Sequence, residues 1–257
     1  MLRKKVNFIK WPGGKFYLIN FILPKIPKHR VYVEPFGGAA NILINKPRSE
    51  VEVYNDINYP IYCLFRVVQD DVLFEIFKWR VYFTLRSYDE YIKAVKILKD
   101  GGSVLDTAWA IFVAMAQSHS GMIHKSNWGR FFKSSISTAW ASAISRLDYV
   151  HNRLNGVLLH NEDAFNIIER YDSKDTLFYL DPPYPSIVRS HARIYNNEFT
   201  DHERLLEVLK NISGKFIISS YDNQLYDSHL LPWCKKQIKD SYARCGKIKA
   251  NDSVRLI

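Results

Sequence analysis

The stretch that most constrains the fold is the apolar run Thr176 to Leu180 together with the four residues that follow it, Asp181, Pro182, Pro183 and Tyr184. The run is too short for a helix and is typical of a buried strand in a parallel sheet. Proline cannot continue a central strand, so the chain must leave the sheet at Asp181. The pattern therefore predicts that these side chains lie at the carboxyl edge of a sheet, where open α/β folds bind their ligands.

The chemistry of this turn suits a ligand that carries an amino group. The Asp181 carboxylate and the Pro182 carbonyl are two hydrogen-bond acceptors, and together they can take both N–H donors of an exocyclic amine. Tyr184 offers a flat face on which an extruded base can stack. The alternative is an ordinary strand end whose tyrosine only packs, because a four-residue motif is a hypothesis until its context supports it.

Composition narrows the class of protein. The chain has 257 residues, of which 47% are hydrophobic, enough for one α/β core with an inserted lobe. The formal charge of +10 favours a polyanionic partner, although a cationic surface kept for solubility is the alternative. The three cysteines form no Cys-x-x-Cys pair and no apolar run approaches a membrane span, so we expect a reduced cytoplasmic protein without structural metal.

Two glycine turns precede predicted helices near the amino terminus. In Trp11-Pro12-Gly13-Gly14-Lys15 the glycines leave backbone N–H groups free beside a lysine, an arrangement that attracts a carboxylate or phosphate, but for this motif taken alone a plain turn is the favoured interpretation. The strand Val31 to Phe36 contains Glu34, Pro35 and Phe36 and is closed by Gly37 and Gly38. This strand, turn and helix form the first βα unit of a nucleotide-binding fold.

Two further acids follow predicted strands. Asp56 comes after the strand 51–54, about 20 residues beyond the glycine turn, where a carboxylate commonly binds ribose hydroxyls. Asp163 follows the strand 156–160 and precedes Ala164 and Phe165, and could accept from an adenine amino group. For both acids the alternative is capping of the next helix.

The segment between these strands has helical spacing. Helices are predicted for 59–79, 88–99, 104–117 and 139–154. No acid occurs from 107 to 147, whereas cations interleave with aromatic residues there. We interpret this segment as a DNA-facing insertion, the alternative being a cover for the sheet. The predicted DNA contacts, which include two arginines from the loop 185–199, are Lys125, Trp128, Arg130, Lys133, Arg189 and Arg193.

Taken in order, these motifs resemble the Dam-type DNA adenine N6-methyltransferase family with its Asp-Pro-Pro-Tyr motif, particularly the phage and mobile-element members. The resemblance runs over essentially the whole chain. It implies S-adenosylmethionine as methyl donor, with S-adenosylhomocysteine as product. The residues that it assigns to the donor are Trp11, Gly14, Lys15, Glu34, Pro35, Phe36, Gly37, Gly38, Asp56, Asp163, Ala164, Phe165 and Asp181; those that it assigns to catalysis are Asp181, Pro182, Pro183 and Tyr184.

The sequence thus predicts an α/β protein with a Rossmann-like methyltransferase sheet and an inserted, mainly helical target-recognition lobe. The catalytic domain comprises 1–59 and 155–257, and the lobe comprises 60–154. The expected substrate is adenine in double-stranded DNA; the alternatives are N4-methylation of cytosine and an inactive module that binds donor and DNA. Other expectations are a cognate restriction endonuclease as a further partner, no membrane, and a monomer or weak dimer.

Overall fold

The chain folds around a central sheet with the predicted α/β arrangement. The computed structural model describes residues 5–118, 123, 128, 135–183, 199–221, 224–230, 236–239 and 253–256. Its parallel strands are β1 (Val31–Glu34), β2 (Val51–Asn55), β3 (Leu158–His160), β4 (Thr176–Leu180) and β5 (Lys215–Tyr221). They lie in the order β3-β2-β1-β4-β5, so the chain reverses its direction of winding at β1. That reversal point is where doubly wound folds open a ligand crevice.

Two antiparallel strands complete the sheet beyond β5. β6 (Lys236–Lys239) and β7 (Ser253–Leu256) pair with each other, and β7 lies between β5 and β6. The helices are α1 (Ile19–Ile22), α2 (Asn41–Asn45), α3 (Tyr59–Gln69), α4 (Asp71–Phe83), α5 (Tyr88–Asp100), α6 (Val104–Gln117), α7 (Ser135–Ile144), α8 (Leu147–Leu154), α9 (Ala164–Tyr171), α10 (His202–Asn211) and α11 (Gln224–Leu230). Within the described ranges, none of these helices has both the length and the apolar character that crossing a bilayer requires.

The sheet is covered on both faces, which explains why its central strand β4 is apolar from Leu177 to Leu180. All five residues of β4 are buried. Leu177 and Tyr179 join the core on the face of α1, α2 and α3, whereas Phe178 and Leu180 join the core formed with α9, α10 and α11. Because successive side chains of a strand point to opposite faces, a run with no polar interruption is required here.

The inserted helices share one of these two cores. Residues of α3, α5, α6 and α8 belong to the same apolar cluster as Tyr32 and Tyr54 of the sheet. The sequence predicted one helix over 59–79, but the structure has two helices there, α3 and α4. Asp70 is extended and its carboxylate accepts from the backbone N–H groups of Val72 and Leu73, so it ends α3 and caps α4. The apolar spacing continues through the break and conceals it.

A buried ion cluster joins the insertion to the sheet. The carboxylate of Glu52 on β2 accepts from Arg153 of α8 at 2.6 and 2.9 Å and from the ammonium of Lys46 at 2.6 Å. All three side chains are almost fully buried. Arg153 also donates to the backbone carbonyl of Leu43 just after α2 begins. The last inserted helix is therefore tied to both β2 and α2 by charge-assisted hydrogen bonds.

Removing the central charge of this cluster should weaken the fold. Glu52→Gln leaves Arg153 and Lys46 as buried cations without a counter-ion, so we expect a loss of roughly 3 kcal/mol in the free energy of unfolding. Urea denaturation measures it. The control is Glu50→Gln, which affects an exposed ion pair with Arg30 and should change stability by less than about 1 kcal/mol. An equal effect of the two substitutions would contradict the structural role of the cluster.

Candidate functional site

The turn after β1 is held against the end of β2 by its backbone. Gly37 donates to the carbonyl of Asn55 at 2.8 Å, and the hydroxyl of Tyr54 donates to the carbonyl of Gly38 at 2.8 Å. A Cβ atom at Gly37 would overlap the Tyr54 ring. Gly38 has φ +49°, and a Cβ atom there would lie 2.8 Å from Nε1 of Trp11. Both positions therefore require glycine, as the sequence indicated.

The carboxylate of Asp56 holds the same turn in place through hydrogen bonds to backbone N–H groups. Its Oδ2 accepts from the backbone N–H of Gly38 at 2.7 Å and its Oδ1 from that of Asn58 at 2.8 Å. Burial raises the pKa of Asp56 to about 6, and the bonds from Asn58 and Gly38 partly offset that rise. Each oxygen keeps a second lone pair, so the carboxylate can still accept from a ligand.

Asn55 connects the ends of three adjacent strands. Its amide nitrogen donates to the carbonyls of Pro35 at 2.9 Å and Glu162 at 3.0 Å, and its oxygen accepts from the N–H of Glu162 at 2.9 Å. Pro35 follows β1 and Glu162 follows β3, while Asn55 ends β2. One buried side chain thus fixes the relative positions of the three loops.

The carboxylate of Asp181 is held by two side chains that lie far away in sequence. The ammonium of Lys15 approaches Oδ1 at 2.6 Å and Oδ2 at 2.9 Å. The hydroxyl of Ser219, near the end of β5, donates to Oδ1 at 2.7 Å. Lys15 is 3% exposed and Asp181 20% exposed, so solvent screens their attraction only weakly. Burial, together with the nearby charge of Asp181, raises the pKa of Tyr226.

A cavity of about 730 Å³ lies along this edge of the sheet, within the size range of sites for small ligands. Every residue that the sequence assigned to the methyl donor lines it: Trp11, Gly14, Lys15, Glu34, Pro35, Phe36, Gly37, Gly38, Asp56, Asp163, Ala164, Phe165 and Asp181. Pro183 also lines it, whereas Pro182 is buried and is not among the lining residues. α5 and α6 also contribute to the lining with Val95, Leu98, Ile111 and Met115, which the sequence did not indicate.

Two polar side chains of this lining, Glu34 and Asn41, are buried. Glu34 is 2% exposed; its Oε1 accepts from the hydroxyl of Tyr32 and from the N–H of Leu43, both at 2.8 Å. Burial raises the pKa of Glu34 to about 7, although those two bonds act to lower it. Asn41 at the start of α2 is 7% exposed, and within the described part of the chain its Oδ1 has no hydrogen-bond partner.

Asp163 caps α9, as the alternative interpretation of the sequence predicted. Its Oδ1 accepts from the N–H of Phe165 at 2.7 Å, while the residue stays exposed at the cavity margin. Capping uses one oxygen, so the carboxylate can also accept from a ligand. Beside it the rings of Phe165 and Phe36 both contact Phe199, at centroid distances of 6.1 and 5.0 Å. These rings form an apolar end to the cavity.

Most of the predicted DNA contacts fall outside the described residues. Lys125, Arg130, Lys133, Arg189 and Arg193 do so, as does the predicted stacking residue Tyr184.

Trp128 is described. It is half-buried, contacts the ring of Tyr88 edge-on at 5.7 Å and lies 5.8 Å below the guanidinium of Arg86. It therefore packs within the inserted helices.

Asn41, Asn55 and Ser219 are polar residues of the site that the sequence analysis did not assign. Asn55 and Ser219 are polar residues at the carboxyl ends of apolar strands, and that position was the available signal. Nothing in the sequence distinguished Asn41 from any other residue of a short helix.

The fold and the site define a Rossmann-like methyltransferase: a switch-point crevice, two glycines after β1, an acid after β2 and Asp-Pro-Pro after β4. Residues 11–240 match the model of the D12 class N6 adenine-specific DNA methyltransferase family, and the chain belongs to that family. The family description gives adenine as the base.

Individual relatives match over different lengths. The DNA adenine methylase of Escherichia coli is 35% identical over 68 residues, which is 26% of this chain and 24% of that enzyme. The type II methyltransferase M.CviBI of Paramecium bursaria Chlorella virus NC1A is 22% identical over 242 residues, or 86% of each chain. The modification methylase StsI of Streptococcus sanguinis is 38% identical over 69 residues, or 26% of this chain and 10% of that protein. The first of these matches thus spans about a quarter of the relative's length.

The raised pKa of Glu34 predicts a pH dependence of stability. The folded-state pKa of about 7 exceeds the ordinary 4.5, so the protonated carboxyl stabilises the fold below pH 4.5, and this contribution is lost as the pH rises through 7. It is on the order of 3 kcal/mol, because one pKa unit corresponds to about 1.4 kcal/mol. Glu34→Gln stays neutral, so its free energy of unfolding should depend less on pH between 5 and 8 than that of the wild type.

Urea denaturation at several pH values measures this slope. Glu52→Gln is the matched control: burial acts to raise the pKa of Glu52, but the bonds from Arg153 and Lys46 lower it overall. The contribution of Glu52 therefore varies only below pH 4.5, and Glu52→Gln should leave the slope between pH 5 and 8 unchanged. A wild-type slope unchanged by Glu34→Gln would show that Glu34 does not titrate in this range.

Proposed function

We propose that this protein transfers a methyl group from S-adenosylmethionine to the N6 amino group of adenine in double-stranded DNA. The observation that carries the proposal is the position of Asp181. It follows β4, lines the same cavity as Gly37 and Asp56, and is held there by Lys15 and Ser219. Family membership supports adenine as the base and DNA as the substrate.

The chemistry of the cavity suits this donor. When bound, S-adenosylmethionine supplies an activated methyl group on a positively charged sulfur. The lining carries the acids Asp56, Asp163 and Asp181, which favour a cationic ligand, and acceptors for ribose hydroxyls and an adenine amine. Phe36 and Phe165 provide apolar surface at the β3 end. The volume of about 730 Å³ leaves room for a base beside the donor.

In this proposal the target amine has two N–H groups. One donates a hydrogen bond to the Asp181 carboxylate and the other to the Pro182 carbonyl. The nitrogen lone pair is then directed at the methyl carbon, and the new C–N bond forms as the carbon–sulfur bond breaks. Positive charge moves to the nitrogen, which afterwards releases one proton to water, and neutral S-adenosylhomocysteine is the leaving product. Asp181 stabilises that charge where it develops, and Ser219 and Lys15 hold the carboxylate in place beforehand. Alignment and electrostatics supply the rate enhancement.

The positive charge of the chain supports a DNA substrate, and the inserted helices form one wall of the cavity. In our proposal the extruded adenine stacks on Tyr184, and Lys125, Arg130, Lys133, Arg189 and Arg193 contact phosphates with Trp128 nearby. The division into a catalytic domain and a target-recognition lobe is part of the proposal, because the two share one core. A cognate restriction endonuclease, a monomer or weak dimer and a cytoplasmic location stay predictions.

Asp181→Ala should abolish methyl transfer while donor binding is largely kept. Loss of the acceptor should lower the rate on the order of 100-fold or more. Transfer of radiolabel from S-adenosylmethionine to DNA measures the rate, and calorimetry measures donor binding. The substitution leaves the Lys15 ammonium without its carboxylate, so Asp181→Asn, which keeps the side-chain shape, is measured in parallel with thermal melting.

The control is Asp175→Ala at the opposite end of β4, where the carboxylate is exposed and 3.7 Å from Arg30. It should transfer methyl groups at the wild-type rate. A folded Asp181→Ala variant with wild-type activity would reject the role of Asp181.

Asp56→Ala should weaken donor binding. A hydrogen bond to a charged group contributes about 1.5–3 kcal/mol, so we expect roughly 10- to 100-fold in the dissociation constant. Asp172→Ala is a close control: its carboxylate also accepts from two backbone N–H groups, those of Ser213 and Gly214, but at the other edge of the sheet. If calorimetry gave the same loss for both variants, the effect would be one of loop stability.

The product identifies the reaction. DNA treated with the protein and S-adenosylmethionine is digested to nucleosides and analysed by mass spectrometry. We expect N6-methyladenine; N4-methylcytosine would show the alternative substrate, and donor binding without any methylated nucleoside would show an inactive module.

A further inference from the structure

We infer that the outward face of α4 is an interface for a second copy of this chain, and that the two copies pair antiparallel across a two-fold axis at Trp79. The inference concerns the inserted helices and goes beyond the proposed function. Among the described residues that line the cavity at the sheet edge, none belongs to α4, so the interface does not use that site.

The first observation is that α4 carries apolar residues on both of its faces. Phe74, Phe77 and Val81 on the inner face are at most 2% exposed and belong to the core. The outward residues, here called the outer stripe and extended by one residue beyond the helix, are Val72, Ile76, Trp79, Tyr82, Phe83 and Leu85, each between 49% and 73% exposed. A surface helix normally turns polar residues outward, and one that is apolar all round is normally covered.

The aromatic side chains of the outer stripe contact one another. The ring of Trp79 stacks on that of Phe83 with 5.7 Å between centroids and meets that of Tyr82 edge-on at 5.9 Å. Tyr82 and Phe83 are in edge contact at 5.6 Å. Because the three rings already restrain each other, little side-chain freedom is lost when a partner covers them.

The charges of α4 favour a protein over a nucleic acid as the partner. Asp71 and Glu75 are the charged residues of the exposed face, at 93% and 60% exposure, and carboxylates repel phosphates. The cations of the helix are used elsewhere in the fold: Lys78 donates to Asp148 at 2.6 Å and Arg80 to Asp106 at 2.7 Å. Tryptophan, tyrosine and phenylalanine are the residues in which protein interfaces are enriched.

The order of residues along the outer stripe favours a second copy in particular. Ile76 lies three residues before Trp79 and Tyr82 three residues after it; Val72 and Leu85 lie seven before and six after. Antiparallel pairing centred on Trp79 therefore places Ile76 against Tyr82 of the second copy and Val72 near Leu85 of the second copy. A two-fold interface requires such a self-complementary order, whereas an unrelated partner does not.

The area of the outer stripe is sufficient for a weak dimer. A large side chain presents roughly 200 Å² when fully exposed, so the six residues expose on the order of 750 Å² together. One partner of a standard interface contributes about 800 Å². We expect a dissociation constant in the micromolar range, since interfaces of this size extend from there to tighter binding.

Analytical ultracentrifugation of the whole chain without DNA tests the interface. The wild-type protein should change from monomer to dimer between roughly 1 and 100 µM. Trp79→Asp brings two carboxylates together at the axis and should raise the dissociation constant at least about 30-fold, as loss of a central tryptophan does in other interfaces. Its melting temperature at low concentration should match that of the wild type, because the Trp79 side chain is more than half exposed.

A mixture of two variants tests the position of the axis. Trp79→Lys alone should also be monomeric, because it places two ammonium groups together. Mixed with Trp79→Asp, it should associate more tightly than either variant does alone, since only the mixed dimer pairs opposite charges across the axis.

The control is Tyr17→Asp. Tyr17 lies just before α1 and is 48% exposed, so the substitution also replaces an exposed aromatic residue by an acid but outside the outer stripe. This variant should dimerise like the wild type.

A wild-type protein that sediments as a monomer throughout this range would overturn the inference and leave the outer stripe to another partner. A dimer that persists undiminished in Trp79→Asp would place the interface elsewhere. A mixture that associates no more tightly than its components would reject the two-fold axis at Trp79.

Discussion

The site depends on the attachment of a two-glycine turn to the end of the neighbouring strand. Gly37 and Gly38 bond to three consecutive residues, Tyr54, Asn55 and Asp56, through their backbone N–H and C=O groups. A side chain at either glycine would collide with Tyr54 or with Trp11. Because the turn is held through its backbone, the edge of the sheet stays open to a ligand and Asp56 faces it at a fixed position.

Charge at this edge is arranged before any ligand binds. The carboxylate of Asp181 is already bonded to Lys15 and Ser219, so it does not have to reorient when an amine arrives. In the proposed reaction this preorganisation matters more than the strength of any single bond.

The inserted helices contribute to the site and not only to its surroundings. They form one apolar core with a face of the sheet, and α5 and α6 supply a wall of the cavity. The ion cluster of Glu52, Lys46 and Arg153 ties their last helix to β2. A change in the position of these helices would therefore alter the shape of the cavity. In the proposed function, DNA contacts on the insertion would act on donor binding through this wall.

The sequence by itself determined the strands, the glycine turn and the acids that follow strands, since apolar spacing and the conformational limits of proline and glycine are local properties. It could not show the helix boundary at Asp70, because the apolar pattern runs through it. Only the tertiary structure decided that Lys15 meets Asp181, 166 residues away, that Asn55 joins three loops, and that Asn41 lines the cavity. Those contacts follow from the order of strands in the sheet, which crossovers and packing set over the whole chain.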